Sequence, residues 1–202
     1  MGLEIELKMR AGDVQQLEAE LNRLGAVCRD QVDESDTYFD TADHNLRRAD
    51  QGLRLRCETV TGCTEQRHIL THKGPRCGGQ VKTRRETQVR VEDRGATFEL
   101  LEALGYRIVL SFEKRRRYWE LDDCVISIDR LPLLGTFLEI EGPSRAAVLA
   151  RRKQLQLDRT PLIDATYADL LCQYLKAHDL KLERITFDDP NPHTTPLPGA
   201  AR

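Results

Sequence analysis

Several short stretches of this chain place a long charged side chain at every second residue. Glu4, Glu6 and Lys8 stand at the start, and Arg54 and Arg56 alternate with Leu53 and Leu55. Lys73 closes the stretch 67–73, and Lys82, Arg84, Glu86 and Gln88 share the parity of the next one. Lys114, Arg116 and Tyr118, then Asp129, then Glu139 and Glu141 continue the pattern. Arginine meets phosphate oxygens bidentately, and lysine meets them as a point charge. Carboxylates are hard oxygen ligands suited to Mg²⁺ or Mn²⁺. Like charges about 4 Å apart repel by about 4 kcal/mol at an effective dielectric of about 20. Gathering Arg54, Arg56, Lys73, Arg84, Lys114 and Arg116 in one cavity therefore calls for a counter-charge, which a polyphosphate supplies. The chemistry implied is metal-dependent reaction at a phosphate.

Such side chains share a face only if strands carry them, because period two is the strand repeat. Strands are predicted at 4–8, 52–56, 67–73, 81–91, 113–121, 124–130 and 136–141, with Tyr38-Phe39-Asp40-Thr41 ahead of a polar loop at 42–51. Helical spacing marks 12–25, 95–104, 144–156 and 163–177. Turns at Gly74-Pro75, Pro132 with Gly135, and Gly142-Pro143 punctuate the strands. In a closed sheet alternate residues point inward, so the charges line an interior and the aliphatic faces pack under helices. The fold class is α+β: an antiparallel sheet or barrel with a few helices outside, one domain over 1–183. Residues 184–202 are proline-rich, poor in apolar bulk, and predicted to be a disordered tail.

The chain has 202 residues, 40% hydrophobic and 32% charged, with 31 Lys plus Arg against 33 Asp plus Glu. A formal charge of −2 excludes a globally basic nucleic-acid binder. Arg115-Arg116-Arg117 is no basic patch on a strand, since its middle residue points away from the other two. No apolar run reaches the roughly 18 residues of a membrane span, so no membrane partner is expected. The 6 cysteines form no C-x-x-C pair, which suits reduced thiols in the cytoplasm; a Cys57–Cys63 bridge is disfavoured. Cys124 reads as core and His72 as structural or surface. His44, in the polar loop, is a minor candidate for contact with a nucleotide base.

Taken together, Glu4-x-Glu6-x-Lys8, Leu53-Arg54-Leu55-Arg56, Thr71-His72-Lys73-Gly74-Pro75, Lys82-x-Arg84-x-Glu86, Lys114-x-Arg116-x-Tyr118, Asp129 and Glu139-Ile140-Glu141 resemble the CYTH superfamily, the triphosphate tunnel metalloenzymes. The resemblance runs from about 3 to 178 and is strongest to the class IV adenylate cyclase branch, through Leu134-Gly135-x-Phe137-Leu138-Glu139-Ile140-Glu141 and Ala165-Thr166-Tyr167-Ala168-Asp169-Leu170-Leu171. It implies an eight-stranded antiparallel barrel, usually as a homodimer. Arg54, Arg56, Lys73, Lys82, Arg84, Lys114 and Arg116 would grip a triphosphate, with Lys8, Lys114 and Arg116 closest to the chemistry. Glu4, Glu6, Asp129, Glu139 and Glu141 would bind two divalent ions, Mg²⁺ or Mn²⁺. The implied activity is conversion of ATP to 3′,5′-cyclic AMP and pyrophosphate. A triphosphatase acting on tripolyphosphate, thiamine triphosphate or a nucleotide, and a non-catalytic polyphosphate-binding module, are the alternatives. Arg85, Gln88 and Thr166 depart from the family pattern; Arg85 has outward parity, and Gln88 alters the charge of the interior.

Overall fold

The computed structural model describes residues 2–77, 79 and 81–188. Eight strands close into an antiparallel barrel: β1 (Gly2–Arg10), β2 (Val27–Thr41), β3 (Gly52–Val60), β4 (Gln66–Lys73), β5 (Lys82–Val91), β6 (Tyr106–Leu121), β7 (Cys124–Leu131) and β8 (Gly135–Glu141). Around the barrel the order is β2-β3-β4-β5-β1-β8-β7-β6, and β6 pairs back onto β2. A two-residue strand, β9 (Arg184–Ile185), lies parallel to β6. Among the described residues five helices stand outside: α1 (Val14–Arg23), α2 (Asn45–Arg48), α3 (Arg94–Ala103), α4 (Arg145–Gln154) and α5 (Tyr167–Ala177). The predicted class and barrel are what the structure shows.

The apolar core lies on the outer face of this barrel. Leu7 and Met9 of β1, Ile126 of β7 and Leu138 and Ile140 of β8 pack under Leu17 and Leu21 of α1 and Val148 of α4. Phe112 and Phe137 pack under Leu171 and Tyr174 of α5. Phe39, Leu53 and Leu55 pack with Leu101 of α3. Each large side chain buried this way contributes about 1.5–3 kcal/mol. That apolar shell holds the strands while their other faces carry charge. Cys124 belongs to the shell, and burial pushes its thiol up to about 11. Gly142 is required beside it, since a Cβ there would lie 2.7 Å from the Cys124 sulfur.

Four elements differ from expectation. β2 starts at Val27 rather than near Tyr38, and β6 starts at Tyr106 rather than 113. The two pair along almost their whole lengths, so each supplies the partner that the weak strand propensity of Asp33-Glu34-Ser35-Asp36 lacks. Within the expected loop 42–51, Asp40 accepts from the N–H groups of Leu46 and Arg47 and secures the short α2. Residues 163–166 are not helical. Ile163 donates its N–H to the Lys8 carbonyl (2.8 Å), and Thr166 caps α5 in a reciprocal box with Asp169. At the start of the expected tail, Ile185 is buried against the α5 core and Phe187 donates its N–H to Glu113. The rest of the expected tail, 189–202, lies outside the described residues.

Candidate active site in the barrel interior

The inward faces of the strands enclose a cavity of about 230 Å³. Most charges in it are met by an opposite one, Glu141 being an exception. Glu4 of β1 takes the Lys73 ammonium of β4 at 3.0 Å and Arg84 of β5 at 2.9 Å. Glu6 takes Lys82 at 2.6 Å. Lys8 reaches Glu139 of β8 at 3.3 Å and donates to the Ala165 carbonyl at 3.2 Å. Arg116 of β6 binds Asp129 of β7 at 2.6 Å and also contacts Glu139. Lys73 contacts Glu86 as well, and burial notwithstanding, Lys73 holds that carboxyl down at about 2.

Sequence reasoning missed Glu34 and Asp36 of β2, which supply much of this counter-charge. Asp36 binds Arg56 through both oxygens at 2.6 and 2.8 Å. Glu34 takes Arg56 and Lys114, each at 2.9 Å. Burial opposes ionisation of Asp36, yet Arg56 and then Arg54 outweigh it and hold the carboxyl well below the usual range. The repulsion expected among the bases is therefore already cancelled inside the protein. Alternation from Tyr38 backwards, through Asp36 and Glu34, is the signal that would have found them.

Tyr167, at the start of α5, was also missed. Its hydroxyl donates to Asp129 at 2.8 Å, and the Lys8 ammonium lies 4.0 Å from its ring centre. Burial, reinforced by Asp129, pushes this phenol well above its ordinary value, so it stays a donor. Glu139 is pushed the other way. Burial favours its neutral form, but Arg116, Lys8 and Lys114 keep it ionised well below the usual range.

Arg54 is the least satisfied base. Asp36 stands 3.6 Å from it and the Thr71 hydroxyl 3.5 Å, while its buried Nε has no partner. A buried donor left unpaired costs about 1–3 kcal/mol, so Arg54 is the group best placed to accept an anion from the cavity.

The carboxylates fit a hard divalent cation in kind. Glu4, Glu6, Glu139 and Glu141 all line the cavity. Burial first, then Glu4 and Glu6, push Glu141 up to about 7, the mark of carboxylates converging on one region. Among the described residues no group of three stands ready to hold an ion, because bases occupy the carboxylates instead. Asp129 is different: fully buried, it does not line the cavity, and its oxygens serve Arg116, Lys114 and Tyr167. A consequence is measurable. Between the ordinary carboxyl value of about 4.5 and about 7, folded Glu141 keeps a proton the unfolded chain has lost, so this group's contribution to stability falls as pH rises. Mn²⁺ binding at pH 6 should expel on the order of one proton, and Glu141→Gln should abolish that release. Calorimetry in two buffers of different ionisation enthalpy reads it directly; equal heats from wild type and variant would remove Glu141 from the metal site.

The chain matches the CYTH domain over residues 2–166. It belongs to the CYTH family. Its similarity to a candidate adenylate cyclase, MJ0240 of Methanocaldococcus jannaschii, is 31% identity over 69% of this chain and 76% of the relative. To the adenylate cyclase CyaB of Aeromonas hydrophila it is 30% over 76% of each. The structure of PH1819 from Pyrococcus horikoshii matches with TM-score 0.75 and 28% identity, covering 84% of this chain and 98% of the other. HpAC1 of Hippeastrum, a candidate adenylyl cyclase described as revealing a dominant triphosphatase activity, shares the fold (TM-score 0.63, 15% identity, 89% and 97% covered). Membership carries dependence on a divalent metal, without fixing which ion.

In this CYTH domain Lys8, Arg54, Arg56, Lys73, Lys82, Arg84, Lys114 and Arg116 all line the tunnel, as do Gln88 and Tyr118. Arg85 points out to solvent, and His72 is exposed beside Gln51. Arg115 pairs with Asp33 and Arg117 with Glu18, so the arginine triplet alternates as expected. A second cavity, about 300 Å³, adjoins one end of the CYTH tunnel and shares Tyr38, Lys73, Arg84 and Thr166 with it. Its walls mix Val109, Leu110 and Ala168 with His44, Gln51 and Asp169. Arg76 straps this end, binding Asp50 at 2.5 Å and donating to the Asp164 carbonyl at 3.2 Å.

Proposed function

We propose that this chain is a class IV-type adenylate cyclase that converts ATP to 3′,5′-cyclic AMP and pyrophosphate. The observation that carries the choice is the half-apolar cavity continuous with the charged tunnel. Inorganic tripolyphosphate has no use for it, whereas a nucleoside leaves its triphosphate in the tunnel and its base beside Tyr38, Val109 and Leu110. The 30–31% relatives named for adenylate cyclase activity agree.

Divalent cations held by Glu4, Glu6, Glu139 and Glu141 would supply charge neutralisation and acidify a bound hydroxyl. The chain does the rest. Arg54, with its unpartnered Nε, takes a phosphate oxygen; Lys73 and Arg84 stand where tunnel and nucleoside cavity meet. The ribose 3′-hydroxyl attacks the α-phosphorus, the bond to the β-phosphate oxygen breaks, and pyrophosphate and the hydroxyl proton leave. Lys8 and Lys114, steadied over the Tyr167 ring, and Arg116 meet negative charge on the departing phosphates. No side-chain nucleophile takes part.

The reading includes a homodimer working in the cytoplasm; the cysteines, all free, suit a reducing compartment, and sedimentation and fractionation test the two points. No described helix is long and apolar enough to cross a membrane. A second reading, hydrolysis at the terminal phosphorus, draws on the shared fold of HpAC1. Incubation with ATP, tripolyphosphate and thiamine triphosphate, each with Mg²⁺ and with Mn²⁺, separates them. Cyclic AMP rising in step with pyrophosphate is expected. Orthophosphate without cyclic AMP would establish the triphosphatase, and binding without turnover a carrier module.

A further inference from the structure

The barrel wall has a break. β5 pairs with β1 only as far as Lys82 opposite Glu6. Beyond that point the free edge of β1 is met by a different segment, with Met9 bridging Leu162 and Ile163 bonded to the Lys8 carbonyl. Between Lys82 and this segment the sheet is interrupted, and a cavity of about 420 Å³ opens there. Glu6, Lys8 and Lys82 line both this cavity and the tunnel, so the two are contiguous. None of its lining residues borders the nucleoside-sized cavity. Residues 163–166 separate the two openings, with Asp164 facing one and Thr166 the other.

The outer lip carries Arg152 and Arg159. Arg152 donates to the carbonyls of Leu157, Asp158 and Thr160, which shapes the loop rather than leaving the residue free. Arg159 has no ion pair among the described residues. The path thus runs from buried Lys8 and Lys82 out to an unspent guanidinium, with Asp158 and Asp164 beside it. Leu7, Pro161, Leu162 and Ile163 also line the cavity, but its charged groups, bases flanked by carboxylates, suit an inorganic phosphate travelling with its divalent cation.

We infer that this lateral cavity is a second subsite for an inorganic phosphate anion, through which the phosphate product leaves without passing the nucleoside. The inference rests on the tunnel being the triphosphate site. Inorganic pyrophosphate titrated calorimetrically with Mg²⁺ into the full chain should show two binding events. Arg54→Ala should remove the tunnel event and leave the other. Arg159→Glu should weaken the second at least tenfold, keep the tunnel event within twofold, and be rescued by Arg159→Lys. A single event in wild type, a second event indifferent to Arg159→Glu, or equal loss of both would overturn the port. Two intact, separable events in a chain that turns over no nucleoside triphosphate would instead overturn the cyclase reading alone.

Discussion

Arg56→Met should lower the melting temperature by about 6–20 °C, while Arg54→Met, two residues along the same strand, should lower it by no more than about 4 °C. Both arginines are buried and line the same tunnel. Their partners differ. Arg56 is the bidentate partner of Asp36 and also binds Glu34, so its loss leaves carboxylates inside the barrel without their main counter-charge. Breaking a buried pair from one side costs about 3–5 kcal/mol, and a domain this size loses about 2–4 °C for each. Removing Arg54 leaves Asp36 fully bound to Arg56, and Met replaces its aliphatic stem. The ligand effect should run the other way. Losing a charge-assisted bond worth about 1.5–3 kcal/mol should weaken tripolyphosphate binding with Mn²⁺ by about 10–100-fold in Arg54→Met. Scanning fluorimetry and calorimetry on the two variants check both halves. Equal losses of melting temperature would mean that Arg54 is as deeply engaged as Arg56, and that it is not the open anion donor.

The contrast shows what alternation in the sequence makes legible. Period two places Arg54 and Arg56 on one face beside Lys73, Arg84, Lys114 and Arg116, and the tunnel does gather them. It says nothing of which base is spent and which is free, because that depends on partners brought in from β2. That strand was hidden by its own composition. Asp33-Glu34-Ser35-Asp36 has little strand propensity, and pairing with β3 on one side and β6 on the other makes it a strand. Tyr167 was hidden differently. Its apolar ring fits a helix-packing pattern, and nothing local shows that Thr166 stops the helix just before it and aims its hydroxyl at Asp129. The break beside Lys82 is the same kind of feature, since strand ends and the segment that replaces them are set by tertiary packing.

Because the tunnel neutralises itself, removing a carboxylate should have opposite effects on binding and on turnover. Glu4 holds Lys73 and Arg84 together, at 3.0 and 2.9 Å. In the absence of divalent cation an incoming triphosphate must displace it to reach those bases, while a cation on Glu4 would release them. Glu4→Gln removes the competing charge and keeps the shape. Tripolyphosphate binding without metal should then tighten at least tenfold, about 1.4 kcal/mol or more. With Glu4 in its proposed role as a cation ligand where charge develops, turnover with Mg²⁺ or Mn²⁺ should fall at least a hundredfold in the variant. A lesion that merely loosened the barrel would weaken both, and a carboxylate with no part in metal binding would spare turnover. Tighter metal-free binding together with lost turnover is the pattern that only a shared role, internal counter-ion at rest and cation ligand in action, produces. Calorimetry in chelator and a product assay on the same preparation decide it.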